Sequence, residues 1–450
     1  MKSFVKIAGW AVVLSGSAVA FAGSSVEGRW DAQLVRGDNV VPFRLDISGS
    51  GPTLKGTLYD GFRPYEDTTS ASFKDGKLVL NIEHYLTTIT ATFEGDKLVG
   101  NVVAQNRENR ADYTFVATRH AKTEATANAP SIAGSWEIPL DTPTSKGEKA
   151  FRFIVDQKGP EVAASILRVD GDTGSYSGTF KDGKWVLSHY DGSRPGVIEV
   201  TPTKDGTLEI LQRVDRPQQA AANAREKAYG ESAPDGRYAP KLTAYRTEVA
   251  RAKGLPEPAN YLTHTTARDP NEKFAFNFPD TTGKLVSSED PHFKGKVVLA
   301  IVTGTWCPNC HDEAQYLVEL DKKYRDKGLS IVALDFEEVE QQASLNRVHA
   351  FVKQYGVKYP YLIAGAPAEM WEKVPQLVNL NTWPSTVFVG RDGTVRAVHS
   401  GFASPASGQF HAQLKKEFTE RIEQLLAEQA PKDVSLTEVP APGGETVARN

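Results

Sequence analysis

The only two cysteines of the chain lie in one five-residue run, Trp306-Cys307-Pro308-Asn309-Cys310. Cysteines separated by two residues can cycle between dithiol and disulfide, help hold a metal, or attach a haem. Their surroundings weigh among these. Upstream, Lys296-Val297-Val298-Leu299-Ala300-Ile301-Val302 is apolar and β-branched. Downstream from Asp312, apolar residues recur three or four apart at Ala314, Leu317, Leu320 and Tyr324. The pattern predicts a buried strand handing over to the first turn of a helix. Peptide N–H groups there lack intrahelical partners, and the helix dipole adds positive potential. A thiolate is favoured at such a place, and the thiolate is the nucleophile of disulfide exchange.

Other chemistries compete for the pair. Zinc needs about four ligands, and there is no second cysteine pair to supply them. A purely structural bridge would close so short a loop that it restrains the unfolded chain little. Haem is the serious rival, because His311 follows Cys310 and Cys-x-x-Cys-His is the attachment signature. A haem would draw its second axial ligand from Met370 or a scattered histidine, so a c-type electron carrier stays open as an alternative. Disulfide exchange itself requires no cofactor and no metal.

The elements that must position this pair begin with residues 1–22, which read as a secretory signal. Lys2 and Lys6 are its charged start, Ile7 to Ala20 its apolar run, and Ala20-Phe21-Ala22 its cleavage site. The run is short for a membrane span. The expected product is exported and soluble, most simply in a bacterial periplasm. Forty per cent hydrophobic residues suffice for ordinary cores. A net charge of −4, with both signs spread along the chain, argues against nucleic acid or anionic membrane as main partner.

Residues 23–250 read as one β-rich unit repeated, at 23–120 and 130–250. Glu27-Gly28-Arg29-Trp30 returns as Ala133-Gly134-Ser135-Trp136, and Asp60-Gly61 as Asp170-Gly171. Ser72-Phe73-Lys74-Asp75-Gly76-Lys77-Leu78 returns as Thr179-Phe180-Lys181-Asp182-Gly183-Lys184-Trp185, and His84-Tyr85 as His189-Tyr190. Asp-Gly flanked by alternating apolar residues is a strong hairpin signal. Two antiparallel all-β units are expected, small barrels or sandwiches of an up-and-down, calycin-like kind. Lys122 to Pro130 links them, and the second carries an insertion near 213–236, a surface helix or mobile loop. The recurring histidines are read as strand residues that pack or bond locally. Proline-marked residues 251–270 form a linker, and 431–450 a disordered tail.

From 271 to 430 strands and helices alternate, the order of a sheet covered by helices. Pro384 stands at the mouth of the strand Val387-Phe388-Val389, where a proline removes a ladder donor and needs a reason. With the cysteine run, its flanking strand and helix, and Asp392-Gly393, this region resembles the thioredoxin fold. The lead-in Phe276-Asn277-Phe278-Pro279-Asp280 with Gly283-Lys284 is similar to the TlpA/ResA group of periplasmic thiol-disulfide oxidoreductases.

The resemblance covers about a third of the chain and leaves the β units outside. It implies a redox-active Cys307–Cys310 disulfide, with Cys307 attacking, Cys310 resolving and a cis Pro384 facing them. Trp306, Pro308, Asn309 and Trp383 would shape the site and its substrate surface. Substrates would be protein disulfides or thiols, such as apocytochromes or metal-site assembly proteins. The electron donor would be a membrane thiol reductant of the DsbD or CcdA kind, and the β region would serve docking. Two departures stand out. The dipeptide is Pro-Asn, which bears on thiol acidity and redox poise. Ile301 stands where thioredoxins carry a buried acid, so proton handling for Cys310 falls to another group or to water; Glu313 and Asp335 are candidates, read in the first place as a solvated helix-face charge and a strand-end charge. A binding protein in which the thioredoxin fold only supports the β region is a further alternative.

Overall fold

The computed structural model describes residues 25–37, 39–106, 109–121, 129–213 and 241–429. The expected signal at 1–22, the link around 122–128, most of the insertion and the tail at 431–450 lie outside the described residues.

Alternation builds the first β unit. Trp30, Ala32 and Leu34 share one face of the strand Gly28–Arg36 and are buried. Nine antiparallel strands follow one another, and the last, Asn109–Arg119, returns to pair with Gly28–Arg36. Asp75 and Gly76 (φ 51° and 76°) and Asp182 and Gly183 (φ 51° and 83°) make the positive-φ turns that match strand twist.

The second unit repeats the order and differs at one seam. Its strand Glu161–Arg168 pairs with Ala150–Lys158 on one side and Tyr176–Lys181 on the other, closing an eight-stranded barrel. In the first unit the matching strand Lys55–Asp60 pairs with Arg63–Asp67 instead. It reaches the far edge through the Thr68 N–H donated to the Gly56 carbonyl at 2.8 Å, and the sheet stays open. Both units end on one lock. Trp30 and Trp136 donate their indole N–H to the Val26 and Ile132 carbonyls, each at 2.9 Å. Arg119 and Arg246, from the last strands, lie 3.9 and 3.8 Å over those rings.

The third domain is a five-stranded sheet in the order Tyr361–Gly365, Leu329–Phe336, Val297–Thr303, Ser385–Val389, Val395–Ser400. The first three strands run parallel and the last two antiparallel. Helices Pro308–Tyr324, Asn346–Tyr355 and Gln409–Ala427 cover one face, packing Leu317, Phe351 and Phe418 on Leu299 and Ile301. Phe274, Phe276, Met370 and Leu380 cover the other, on Val298, Ala300 and Val302. The segment 251–270, expected as a linker, is tied to both neighbours. Tyr261 accepts from Arg152 at 3.1 Å, its carbonyl accepts the Ser400 N–H at 2.9 Å, and Thr266–Ala267 pairs with Leu377–Val378.

Candidate active site

The strand Val297–Thr303 is buried along its whole length and delivers the chain into Gly304-Thr305-Trp306. Cys307 is the N-cap of the helix Pro308–Tyr324, and Pro308 takes the first helical position, where its missing N–H costs nothing. Both cysteines are buried and the sulfurs are unbridged. Cys307 is 5% exposed and Cys310 1%. The Cys307 sulfur lies 3.5 Å from the Trp383 carbonyl, and the Trp383–Pro384 peptide is cis. Trp306 donates its indole N–H to the Phe336 carbonyl at 2.9 Å, and its ring stands 5.1 Å edge-on to Trp383. Trp306, Trp383 and Pro384 thus meet at the pair.

Electrostatics separate the two thiols. Burial disfavours a Cys307 thiolate, but hydrogen bonding from the Cys310 side chain and backbone N–H outweighs it. Arg194 helps, Asp170 opposes, and the Cys307 pKa lies below its ordinary value. At Cys310 burial and the Cys307 sulfur act together and push the thiol well above its ordinary value.

One expectation is corrected. Glu313 is not solvated but 1% exposed, and Asp335, near the end of the strand Leu329–Phe336, is 0% exposed. Glu313 turns toward the sheet, where the Thr386 hydroxyl donates to it. Burial, with repulsion from Cys307, pushes its carboxyl up to about 8. Asp335 accepts from the Tyr361 hydroxyl at 3.4 Å, and burial with Glu337 drives its pKa well up. Periodicity held the signal for Glu313, which shares the buried face with Leu317, Leu320 and Tyr324.

His311 does not fit a haem ligand. It is fully buried, its Nδ1 lies 2.9 Å from the Tyr355 hydroxyl and its Nε2 2.6 Å from the Thr305 carbonyl. Both ring nitrogens are engaged within the protein. Against this ring packs the pair His84-Tyr85, with centroids 5.4 and 4.3 Å away. The recurring histidine of the first unit therefore sits in a turn, Glu83–Tyr85, at a domain interface rather than on a strand.

Other residues at the site come from the β units, and sequence reasoning missed them. Asn309 donates its side-chain amide to the Asp170 carbonyl at 2.7 Å and accepts from Arg194 at 3.4 Å. Asp172 is 2% exposed and accepts the Ser404 N–H and the Ser404 and Ser407 hydroxyls at 2.7, 2.9 and 2.6 Å. Tyr65 donates to Asp312 at 2.8 Å. Asn309 lies more than a hundred residues from both Asp170 and Arg194, and local pattern carries no trace of such a meeting.

A scan against family models matches the Redoxin family at residues 257–414. The chain is 33% identical over 141 residues to the thiol-disulfide oxidoreductase ResA of Bacillus anthracis, covering 31% of this chain and 73% of that protein. It is 31% identical over 126 residues to ResA of Bacillus subtilis, covering 28% and 64%. Among solved structures, a putative thiol:disulfide interchange protein DsbE from Chlorobium tepidum is 20% identical with a TM-score of 0.27, covering 34% of this chain and 98% of that one. Through its C-terminal domain, the chain belongs to the ResA-like thiol-disulfide oxidoreductases.

Proposed function

We propose that the protein is exported and that its Cys307–Cys310 dithiol reduces disulfides in exported protein substrates. One observation carries this reading: two thiols at a helix start with pKa values displaced in opposite directions. The Cys307 thiolate attacks one sulfur of the substrate disulfide; a mixed disulfide forms and the other substrate sulfur leaves as a thiolate that takes up a proton. Cys310 loses its proton and attacks the Cys307 sulfur. The Cys307–Cys310 disulfide forms, the second substrate thiol departs, and two electrons have passed to the substrate. Glu313 is the group we assign to receive the Cys310 proton, acting in its ionised form, because its carboxyl is buried beside the dithiol and is pushed up to about 8, within reach of neutral pH. A membrane thiol reductant of the DsbD or CcdA kind would return the two electrons. Apocytochromes and metal-site assembly proteins are the substrate classes the family reading favours. Among the described residues, no helix is long and apolar enough to cross a membrane.

Trapping tests the order of events. Cys310→Ser and Cys307→Ser are expressed in the native cells, quenched with acid, alkylated and run on non-reducing gels. Discrete higher-mass adducts, lost on reduction, are expected from the first and few from the second. Adducts from neither would remove the reading.

A further inference from the structure

The Pro-Asn dipeptide between the cysteines has a partner outside the thioredoxin-like domain. We propose that Arg194 of the second β unit is a positioning residue for the dithiol, acting on the Cys307-Pro308-Asn309-Cys310 loop through the Asn309 carboxamide. The clamp has two jaws. Arg194 Nη1 donates to Asn309 Oδ1 at 3.4 Å, while Asn309 Nδ2 donates to the Asp170 carbonyl at 2.7 Å. Asn309 is 8% exposed, so neither bond is left to solvent.

Both jaws are themselves held. Arg194 Nη2 bonds Asp191 Oδ2 at 3.2 Å, and Nη1 also reaches the Asp172 carbonyl at 3.5 Å. The Arg194 backbone has φ 33°, in the left-handed region that a β-carbon disfavours, and a strained arginine is kept where its surroundings over-determine it. On the other jaw, Gly171 (φ 120°) bridges to Phe402, and a β-carbon there would press into the Phe402 carbonyl and come within 2.7 Å of Asn309 Nδ2. The turn that carries Asp170 therefore accepts no side chain at Gly171 without moving the clamp.

The chemistry follows from charge and order. Cys307 faces Cys310, Asp170, Arg194 and Glu313. Arg194 in turn faces Asp191 from its own loop, Tyr65 and Tyr85 from the first unit and Asp312 from the cysteine helix. Its guanidinium favours the charged form of the dithiol, and the fixed Asn309 spares the loop an ordering cost when Cys307 attacks. Stabilising the reduced form also makes the couple more oxidising. Arg194 thus acts on rate and poise without touching substrate.

The inference rests on the dithiol reading, and the test separates the two. In the full chain, the pH profile of Cys307 alkylation by iodoacetamide and the equilibrium with glutathione are measured for the unaltered protein, Arg194→Gln and Arg194→Lys, each with its circular dichroism. In Arg194→Gln the alkylation rate at pH 7 is expected to fall about threefold, its midpoint to move up, and the glutathione equilibrium to shift about threefold toward a more reducing couple. Arg194→Lys keeps the charge but cannot hold Asp191 and Asn309 together, so it should show a smaller loss in the same direction. A purely structural arginine would alter the melting temperature and leave both readouts in place. A folded Arg194→Gln with unmoved profile and equilibrium overturns the clamp. If that variant does not fold, an unmoved Arg194→Lys overturns it equally. Absence of any exchange with glutathione in the unaltered chain would instead sink the dithiol reading.

Discussion

In the first β unit the turn at Asp60-Gly61 meets the second unit, where Asp60 accepts the Ser175 N–H at 2.6 Å. In the second unit the matching Asp170-Gly171 meets the active site, on Asn309 and Phe402. The His-Tyr pairs diverge in the opposite sense. His84-Tyr85 of the first unit packs on His311 of the cysteine helix, whereas Tyr190 of the second packs edge-on against Phe43 of the first, 4.8 Å away. One repeat position thus serves two different partners. The Trp–Arg locks and Asp-Gly hairpins are kept because they build the units; the loops at the rim are free to take different neighbours. The first unit grips the back of the cysteine helix with aromatic rings, and the second grips the dithiol loop with polar groups.

The largest way to break this division is Asp172→Ala. The carboxylate accepts from two backbone N–H groups, of Ser404 and Gly174, and from two serine hydroxyls, all in a buried setting. Each donor left unpaired costs about 1–3 kcal/mol, so a loss of about 4 kcal/mol in stability is expected. Because the same turn holds Asp170 and the carbonyl that Arg194 reaches, Cys307 alkylation should slow as well. Denaturant melts and alkylation kinetics on one preparation check both; a chain of full stability would show that the second unit is not anchored there.

Tyr85→Ala comes next. Tyr85 is 6% exposed and packs on His311, so truncation should cost about 3 kcal/mol, in the range for buried aromatic residues. Here the Cys307 alkylation profile should stay where it is, since nothing of the clamp on Asn309 is removed. If Tyr85→Ala shifts that profile as far as Asp172→Ala does, the two units do not divide their tasks.

Much of this was legible in the residues. Composition and the cysteine run pointed to dithiol chemistry, Pro384 marked the facing strand, and matched Asp-Gly turns revealed the repeat. Local signals suffice there because a helix start, a hairpin and a strand mouth are set by neighbours in sequence. The open first sheet and closed second barrel depend on whether Glu161–Arg168 finds Tyr176–Lys181 across the seam, a long-range pairing that alternation does not specify. Asp172, Arg194 and Tyr65 carry no local signal because they reach partners in another domain. Glu313 was misjudged for a different reason. Its face was readable, but a carboxylate on the buried side of a helix is rare enough that solvent seemed the better home.

Up to about pH 6 Glu313 gives the smallest expected effect, and it sharpens the comparison because its hydrogen-bond partner, Thr386, belongs to the thioredoxin-like domain and to neither β unit. Its carboxyl titrates at about 8 in the folded chain against an ordinary value of 4.5. The folded state therefore holds a proton that the unfolded chain releases. Stability from this group is fully present below pH 4.5 and is lost as pH rises from there through about 8. Glu313→Gln keeps the size and the acceptor for the Thr386 hydroxyl but has no proton to lose. The two chains should be nearly equal near pH 4.5, and the variant should gain on the unaltered protein with rising pH, by at most about 1.4 kcal/mol per pH unit. Urea melts across pH 4.5 to 8.5 measure the difference directly. The same variant in an Asp172→Ala background should show the same slope, since Asp172 and Glu313 bond different partners. A slope that vanishes in that background would mean that the second β unit, and not the thioredoxin-like domain alone, keeps Glu313 out of water.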